Sequence, residues 1–458
     1  MSRGSEAERT YHSRPRIGVD KSLISPMFQK TKMRSHPPRR NAALLRRLLP
    51  GAVTFMLLFW LIGTLATAAA ASPLAGRQIL VRPGDSGLAP RQLSLQFTVT
   101  PTPVVTVTER YTLLLPLLFA PVPPLPPPLP PPLIYSATAP LDFAAVITDL
   151  QSKGLELAYN KIGFHTGIDG NIEGLNQWMT ELDAAGVPIF LKSADNAEPL
   201  YNAQQLMKAS GVDHTLIFRR TGNGYDVPDY KLTPQQAAAN HWALHMAAWP
   251  PELDPSLVWI ETINEVDKGE ADWLGQFALE TAKLALADGF RWAAFGWSSG
   301  EPEPSHWGTP GMVQFLKLAA EHPDQLAVAV HEYSYLAEEI GRWYPYLLGR
   351  FQALFHSCDI RGITRPTVLI TEWGWEYDHV PAAEAAMADI AWASWLYAAY
   401  PQVKGAAIWY LGGNFGGIAD EAQLLISPLR EYSLSHYFGY TPGLGAIDAA
   451  LFQPASVP

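Results

Sequence analysis

SLVWIETINEVD (residues 256–267) opens as a run of apolar, β-branched and aromatic residues and closes on an amide and a carboxylate side by side, Asn264 and Glu265. Its first half reads as a strand buried on both faces. A carboxylate that finishes such a strand must be solvated or paired, because burying it alone is costly. A strand end that opens into a cleft meets that requirement.

Seven further runs of strand length accompany it: LELAYNKIGF (155–164), VPIFLKSA (187–194), HTLIFRR (214–220), FRWAAFGWSS (290–299), LAVAVHEYSY (326–335), PTVLITEWGW (366–375) and GAAIWYLGG (405–413). Helix candidates over 170–185, 234–248, 271–287 and 382–400 lie between them, with apolar residues at three- and four-residue spacing. Strand and helix alternating eight times predict an α/β fold, a (β/α)8 TIM barrel over residues 134–445, with its active site on the loops after the C-terminal strand ends. In that count the fourth strand ends in Asn264-Glu265, the sixth in His331-Glu332-Tyr333, the seventh in Glu372-Trp373 and the eighth in Trp409-Tyr410.

The rest of the chain divides by composition. Residues 1–133 hold 16 Lys+Arg against 5 Asp+Glu, a net +11, while residues 134–458 hold 17 against 38, a net −21. An acidic globular part repels phosphate and argues against nucleic acid as a partner. Residues 1–47 read as a basic, disordered leader, and 48–71 (LLPGAVTFMLLFWLIGTLATAAAA) as a signal peptide or signal anchor, so the acidic part is expected to be extracytoplasmic, secreted or membrane-anchored. Residues 72–133 form an extended, Pro-rich linker ending in PLLFAPVPPLPPPLPPPL, whose prolines favour polyproline II, and 446–458 form a C-terminal tail. Membrane contact is expected only through the apolar segment. The single cysteine, Cys358, rules out an intramolecular disulfide framework and reads as a small buried apolar residue.

Two carboxylates at a barrel mouth can divide the labour of glycoside hydrolysis, one protonating the leaving oxygen and the other, held ionised, attacking the anomeric carbon. TINE on the fourth strand, HEY on the sixth, ITEWGW on the seventh and IWY on the eighth resemble the retaining β-glycosidases of glycoside hydrolase clan A, the four/seven superfamily of cellulase- and mannanase-like enzymes, over about residues 134–440. The resemblance implies Glu265 as acid/base, Glu372 as nucleophile, Asn264 on the substrate 2-hydroxyl, Tyr333 donating to Glu372, and His331 and Trp409 lining the subsite of the reacting sugar. Trp297, Trp373 and Trp375 are expected in the cleft wall. The resemblance also implies a carbohydrate substrate and no cofactor; no metal is expected, because the strand ends show too few His and Asp, and a monomer is expected. An Arg that supports the nucleophile in such enzymes is not matched here to a position; Lys192 and Asp195, and Arg219-Arg220, end the second and third strands and are candidates for binding hydroxyls or orienting a carboxylate.

Alternation sends Glu332 toward the helical layer and leaves Glu261 as a barrel-interior or supporting group. HWALH (241–245) places two histidines one helical turn apart, but it lacks the Glu of the zinc-protease motif and falls on an outer helix, so solvated or capping histidines are expected. No phosphate-binding glycine loop follows the first strand. A non-catalytic carbohydrate-binding or wall-associated barrel is the rival reading, and a metal-dependent barrel hydrolase or aldolase a third.

Overall fold

The computed structural model describes residues 133–136 and 140–447, apart from 223, 336–339, 444 and 446. The leader, the apolar segment 48–71, nearly all of the linker and all but the start of the tail lie outside the described residues. Among the described residues no helix is long and apolar enough to cross a membrane.

Eight parallel strands close into a barrel: β3 (Ile162–Thr166), β4 (Phe190–Ala194), β5 (Thr215–Arg219), β6 (Val258–Glu261), β7 (Arg291–Trp297), β8 (Leu326–Tyr333), β9 (Thr367–Gly374) and β10 (Val403–Ile408), with β10 pairing back to β3. Helices α2 (Leu175–Ala184), α3 (Glu198–Ser210), α4 (Pro234–Ala247), α5 (Ala271–Asp288), α6 (Pro310–Glu321), α7 (Phe351–Asp359) and α8 (Ala383–Ala398) connect successive strands, and α9 (Ile418–Gln423) and α10 (Ile426–Ser435) follow the last. The chain is a (β/α)8 TIM barrel. Helix α1 (Phe143–Ser152) precedes the barrel, capped by Asp142, whose carboxylate accepts from the backbone of Ala144 and Ala145. Helix α4 starts on a full capping box, Thr233 with Gln236, behind Pro234 in the first turn.

The first predicted strand is in fact two. β2 (Glu156–Ala158) joins an antiparallel three-stranded sheet with β1 (Leu133–Ser136) and β11 (His436–Tyr440), and only Ile162 onward enters the barrel. Asn160 makes the break, its side chain bonding the backbone N–H and C=O of Ile162 and the hydroxyls of Ser433 and Ser394. Asx bonding of this kind replaces ladder hydrogen bonds with a local turn.

Period-two alternation stacks the barrel interior in layers. The lower layer is apolar, with Phe190, Ile217, Trp259, Ala293, Ala327, Ala329, Leu369 and Ala407 forming a buried cluster separate from the main core between barrel and helices. Two residues further along β4, β5 and β6 stand Lys192, Arg219 and Glu261, so the next layer is charged. On β9 the same step reaches Thr371, and a register shift follows: Val330 of β8 pairs with Ile370 but His331 pairs with Glu372. The extra residue resets the phase, so Glu372 faces inward as well and Trp373 faces out.

Candidate active site

Glu261 is fully buried, and its two oxygens go to Lys192 Nζ at 2.8 Å and to the hydroxyl of Thr371 at 3.0 Å. Lys192 also lies 3.2 Å from Glu372 Oε1. Arg219 Nη1 donates to the same oxygen at 3.2 Å, and its Nη2 donates to Asp226 at 2.7 Å. Two buried cations therefore converge on one oxygen of Glu372. The other oxygen accepts from the Tyr333 hydroxyl at 2.9 Å.

Burial alone would raise the Glu372 pKa, but the positive surroundings, with His331, Lys192, His165 and Arg219 contributing in that order, hold it far below the usual carboxylate range. Lys192 and Arg219 both lie 3.2 Å from Glu372 Oε1. His165 is itself held well below the usual imidazole value, first by burial and then by Lys192, and is neutral near pH 7. Arg219 loses solvation by burial, yet Glu261, Glu372 and Asp226 more than compensate, and its pKa is raised. Tyr333 is pushed well above 10, by burial and then by Glu372, and stays a hydroxyl donor.

Glu265 stands on the turn after β6, four residues beyond the end of the strand at Glu261. Its backbone is left-handed, φ 46°, and its N–H donates to Gly296 O at 2.8 Å. Gly296 lies where β7 slips register against β8, and a Cβ there would sit 2.7 Å from Glu261 Oε1, so only glycine fits. The Glu265 side chain is half exposed, accepts from Ser298 at 3.1 Å, and lies 3.4 Å from His331 Nδ1. That same Nδ1 is 3.5 Å from Glu372 Oε2, so one buried imidazole nitrogen lies close to both carboxylates. The Glu265 pKa is lowered, first by its bond to His331, against the opposing effects of partial burial and the charge of Glu372. The surroundings of Glu265 thus favour its ionised form.

A cleft of about 510 Å³ opens over these groups, with Asn264, Glu265, Tyr333, Glu372 and Trp409 in its walls. Asn264 Oδ1 is buried with no partner, and the Asn264 N–H donates to Asp226 O at 2.8 Å. The Trp409 ring is half-buried, stacked on Tyr410 at 4.3 Å and fixed by its N–H on Tyr377 O at 3.0 Å. Tyr335 and Tyr377 stand exposed at the rim. His331 lies beneath the carboxylates rather than in the wall.

Trp297, Trp373 and Trp375 do not line the cleft. All three are buried in the layer between barrel and helices, Trp297 stacked on Phe295 at 5.1 Å and Trp373 against Trp375 at 5.1 Å. The register slips in β7 and β9 turn Trp297 and Trp373 outward, a feature no alternation rule reads. Glu332 does face the helical layer, accepting from Tyr397 and Gly349, and burial pushes its pKa up to about 7. Cys358 is buried, with burial raising the thiol to about 12. His241 and His245 are buried rather than solvated, and both ring Nε2 atoms point at Tyr225 O. His165, Asp226 and Ser298 were not singled out from sequence; His165 ends the first barrel strand, a position that could have flagged it. Among the described residues no three His, Cys, Asp or Glu gather as a metal-binding group.

No family model matches the sequence, and no curated protein matches it. Solved structures of similar fold include a family 5 xyloglucanase from Paenibacillus pabuli, 13% identical, covering 60% of this chain and 99% of its own with a TM-score of 0.33. The catalytic domain of a mannanase from Streptomyces sp. SirexAA-E is 15% identical, covering 56% of this chain and 76% of its own, TM-score 0.30. The YdjI aldolase from Escherichia coli K12 is 11% identical, covering 64% and 96%, TM-score 0.30. Likenesses this distant carry no argument about function, and glycoside hydrolases stand among them beside aldolases.

Proposed function

We propose that the barrel is a retaining glycoside hydrolase acting on β-linked oligo- or polysaccharide, and that the basic leader and the apolar segment 48–71 direct it out of the cytoplasm. The observation that carries the reading is the pair Glu265 and Glu372, both within 3.5 Å of His331 Nδ1, with only one of them bound by two cations and a tyrosine. Both carboxylates approach one nitrogen, so the facing oxygens are at most about 7 Å apart, a limit that takes in the retaining separation and only the short end of the inverting one.

In this reading Glu372, ionised, attacks the anomeric carbon while Glu265 gives a proton to the departing oxygen. The glycosyl ester on Glu372 is then cleaved by water, with Glu265 taking the water's proton. Sugar filling the cleft strips water from Glu265 and leaves it beside the charge of Glu372, and both effects raise its pKa toward the value an acid needs. The free oxygen of Asn264 suits a substrate hydroxyl, and the Trp409 ring offers an apolar floor for the sugar face. Assay of the purified domain on a panel of β-glycans and aryl β-glycosides tests the reading. The wild-type protein is expected to turn over at least one, and Glu372→Gln to lose roughly 10³-fold or more in kcat. Unchanged turnover in that variant removes the nucleophile assignment, and sugar binding without any hydrolysis favours a binding module.

A further inference from the structure

We infer that His241 and His245, on the outside of the barrel, are positioning residues for the catalytic pair: through one carbonyl they hold the loop after β5, which sets Arg219 on Glu372 and Asn264 beside Glu265. The inference rests on the glycosidase reading of the cleft and adds two residues that touch neither the cleft nor either carboxylate.

The two rings sit one turn apart on α4, with centroids 4.7 Å apart. His241 Nε2 lies 3.0 Å and His245 Nε2 3.3 Å from the same atom, Tyr225 O. A carbonyl oxygen has two lone pairs, and here two buried imidazoles occupy them. Burial lowers His241 to about 4 and His245 to about 3, so each is neutral near pH 7 with a single ring proton, and a proton on Nε2 serves that carbonyl. The Tyr225 ring also packs edge-on against His245 at 5.1 Å.

The next residue is Asp226, and every polar atom of it that the active site uses is engaged. Oδ1 accepts from Arg219 Nη2 at 2.7 Å, Oδ2 from the Gly222 N–H at 2.9 Å, and the backbone oxygen from the Asn264 N–H at 2.8 Å. Arg219 passes the constraint to Glu372, and Asn264 precedes Glu265. Gly222 and Gly224 take left-handed backbones in this loop, φ 106° and 87°, and Thr221 ties its start to Asp195. The histidine pair adds an anchor from the outer helix directly before Asp226, and an error in the place of Asp226 reaches both carboxylates at once.

The charged and titratable groups that face Glu372 include Lys192, Arg219, His165, His331, Tyr333, Tyr410 and Glu265, and of these Arg219 is the one tied to the loop. Replacing both histidines by leucine removes the donors. Arg219 then loses its fixed place, and Glu372 is expected to ionise less readily. The acid limb of kcat/KM should move up by about half a pH unit or more, and kcat/KM should fall about tenfold. Glutamine at both positions can still donate to the carbonyl and should restore the limb. The carboxyl carbon of Glu372, followed by 13C NMR and assigned by its loss in Glu372→Gln, should show the same upward shift, and this holds even in a protein with no glycosidase turnover, so the two readings fail separately. His245→Leu alone keeps His241 on the carbonyl and covers the event that the double variant does not fold, with a smaller shift in the same direction expected. Folded leucine variants with melting points lowered but with acid limb and Glu372 titration unmoved would overturn the inference and leave the pair a packing element only.

Discussion

The two oxygens of Glu372 are not equivalent. Oε1 faces Lys192 and Arg219, and Oε2 faces Tyr333 and His331. Tyr333→Phe removes a donor that bonds the ionised carboxylate more strongly than the protonated one, so the Glu372 pKa should rise and the acid limb of kcat/KM should move to higher pH. A hydrogen bond to a charged group is worth about 1.5–3 kcal/mol, which corresponds to a ten- to hundredfold fall in kcat/KM. A pH profile of the variant with its acid limb in place would contradict this role for Tyr333. At the residue scale the sequence carried the carboxylates, Asn264, Tyr333 and Trp409, because strand ends are legible wherever a buried apolar run meets a polar group. It could not rank Lys192 against Arg219 as the support of Glu372; both serve, and only the layered barrel interior brings strands β4 and β5 to the same oxygen.

Elements set these positions more than propensities do. The slips in β7 and β9 each add residues to one strand of a parallel pair, and they decide that Glu372 faces in while Trp297 and Trp373 face out. No composition signal marks the slip in β9; in β7, Gly296 beside Phe295 with φ 82° is the local sign. The outer helix α4 shows the converse, since the HWALH spacing suggested solvent and the structure buries both rings. Those rings link stability to pH. Folded values of about 4 and about 3 lie below the unfolded 6.5, so the contribution is fully present above about pH 6.5 and is lost as pH falls through about 4 and 3. Urea melts from pH 3 to pH 8 should show a steeper acid loss in the wild-type chain than in the double glutamine variant, whose side chains do not titrate. Equal slopes would show that the imidazoles do not stay neutral in the folded chain.

On the scale of the whole barrel, stability and chemistry occupy different layers. Trp259 fills the lower interior between small residues, Ala293, Ala327, Ala329 and Ala407, while the charged layer stands above it. Trp259→Ala empties that space and should cost about 3–5 kcal/mol in denaturant melts. The pH profile of the surviving folded fraction should keep its shape, and a displaced acid limb would mean that the layers are coupled. The eightfold alternation of strand and helix was readable because each barrel strand is a short apolar run between amphipathic helices. The antiparallel sheet of β1, β2 and β11 was not, since its strands are short and β2 runs into β3 with only Asn160 to mark the turn. The central claim is a double displacement on Glu372. Proton NMR of a β-glycoside during the first minutes of hydrolysis, before the released sugar mutarotates, tests it most directly: the β-anomer should appear first, and the α-anomer appearing first would contradict a glycosyl-enzyme on Glu372.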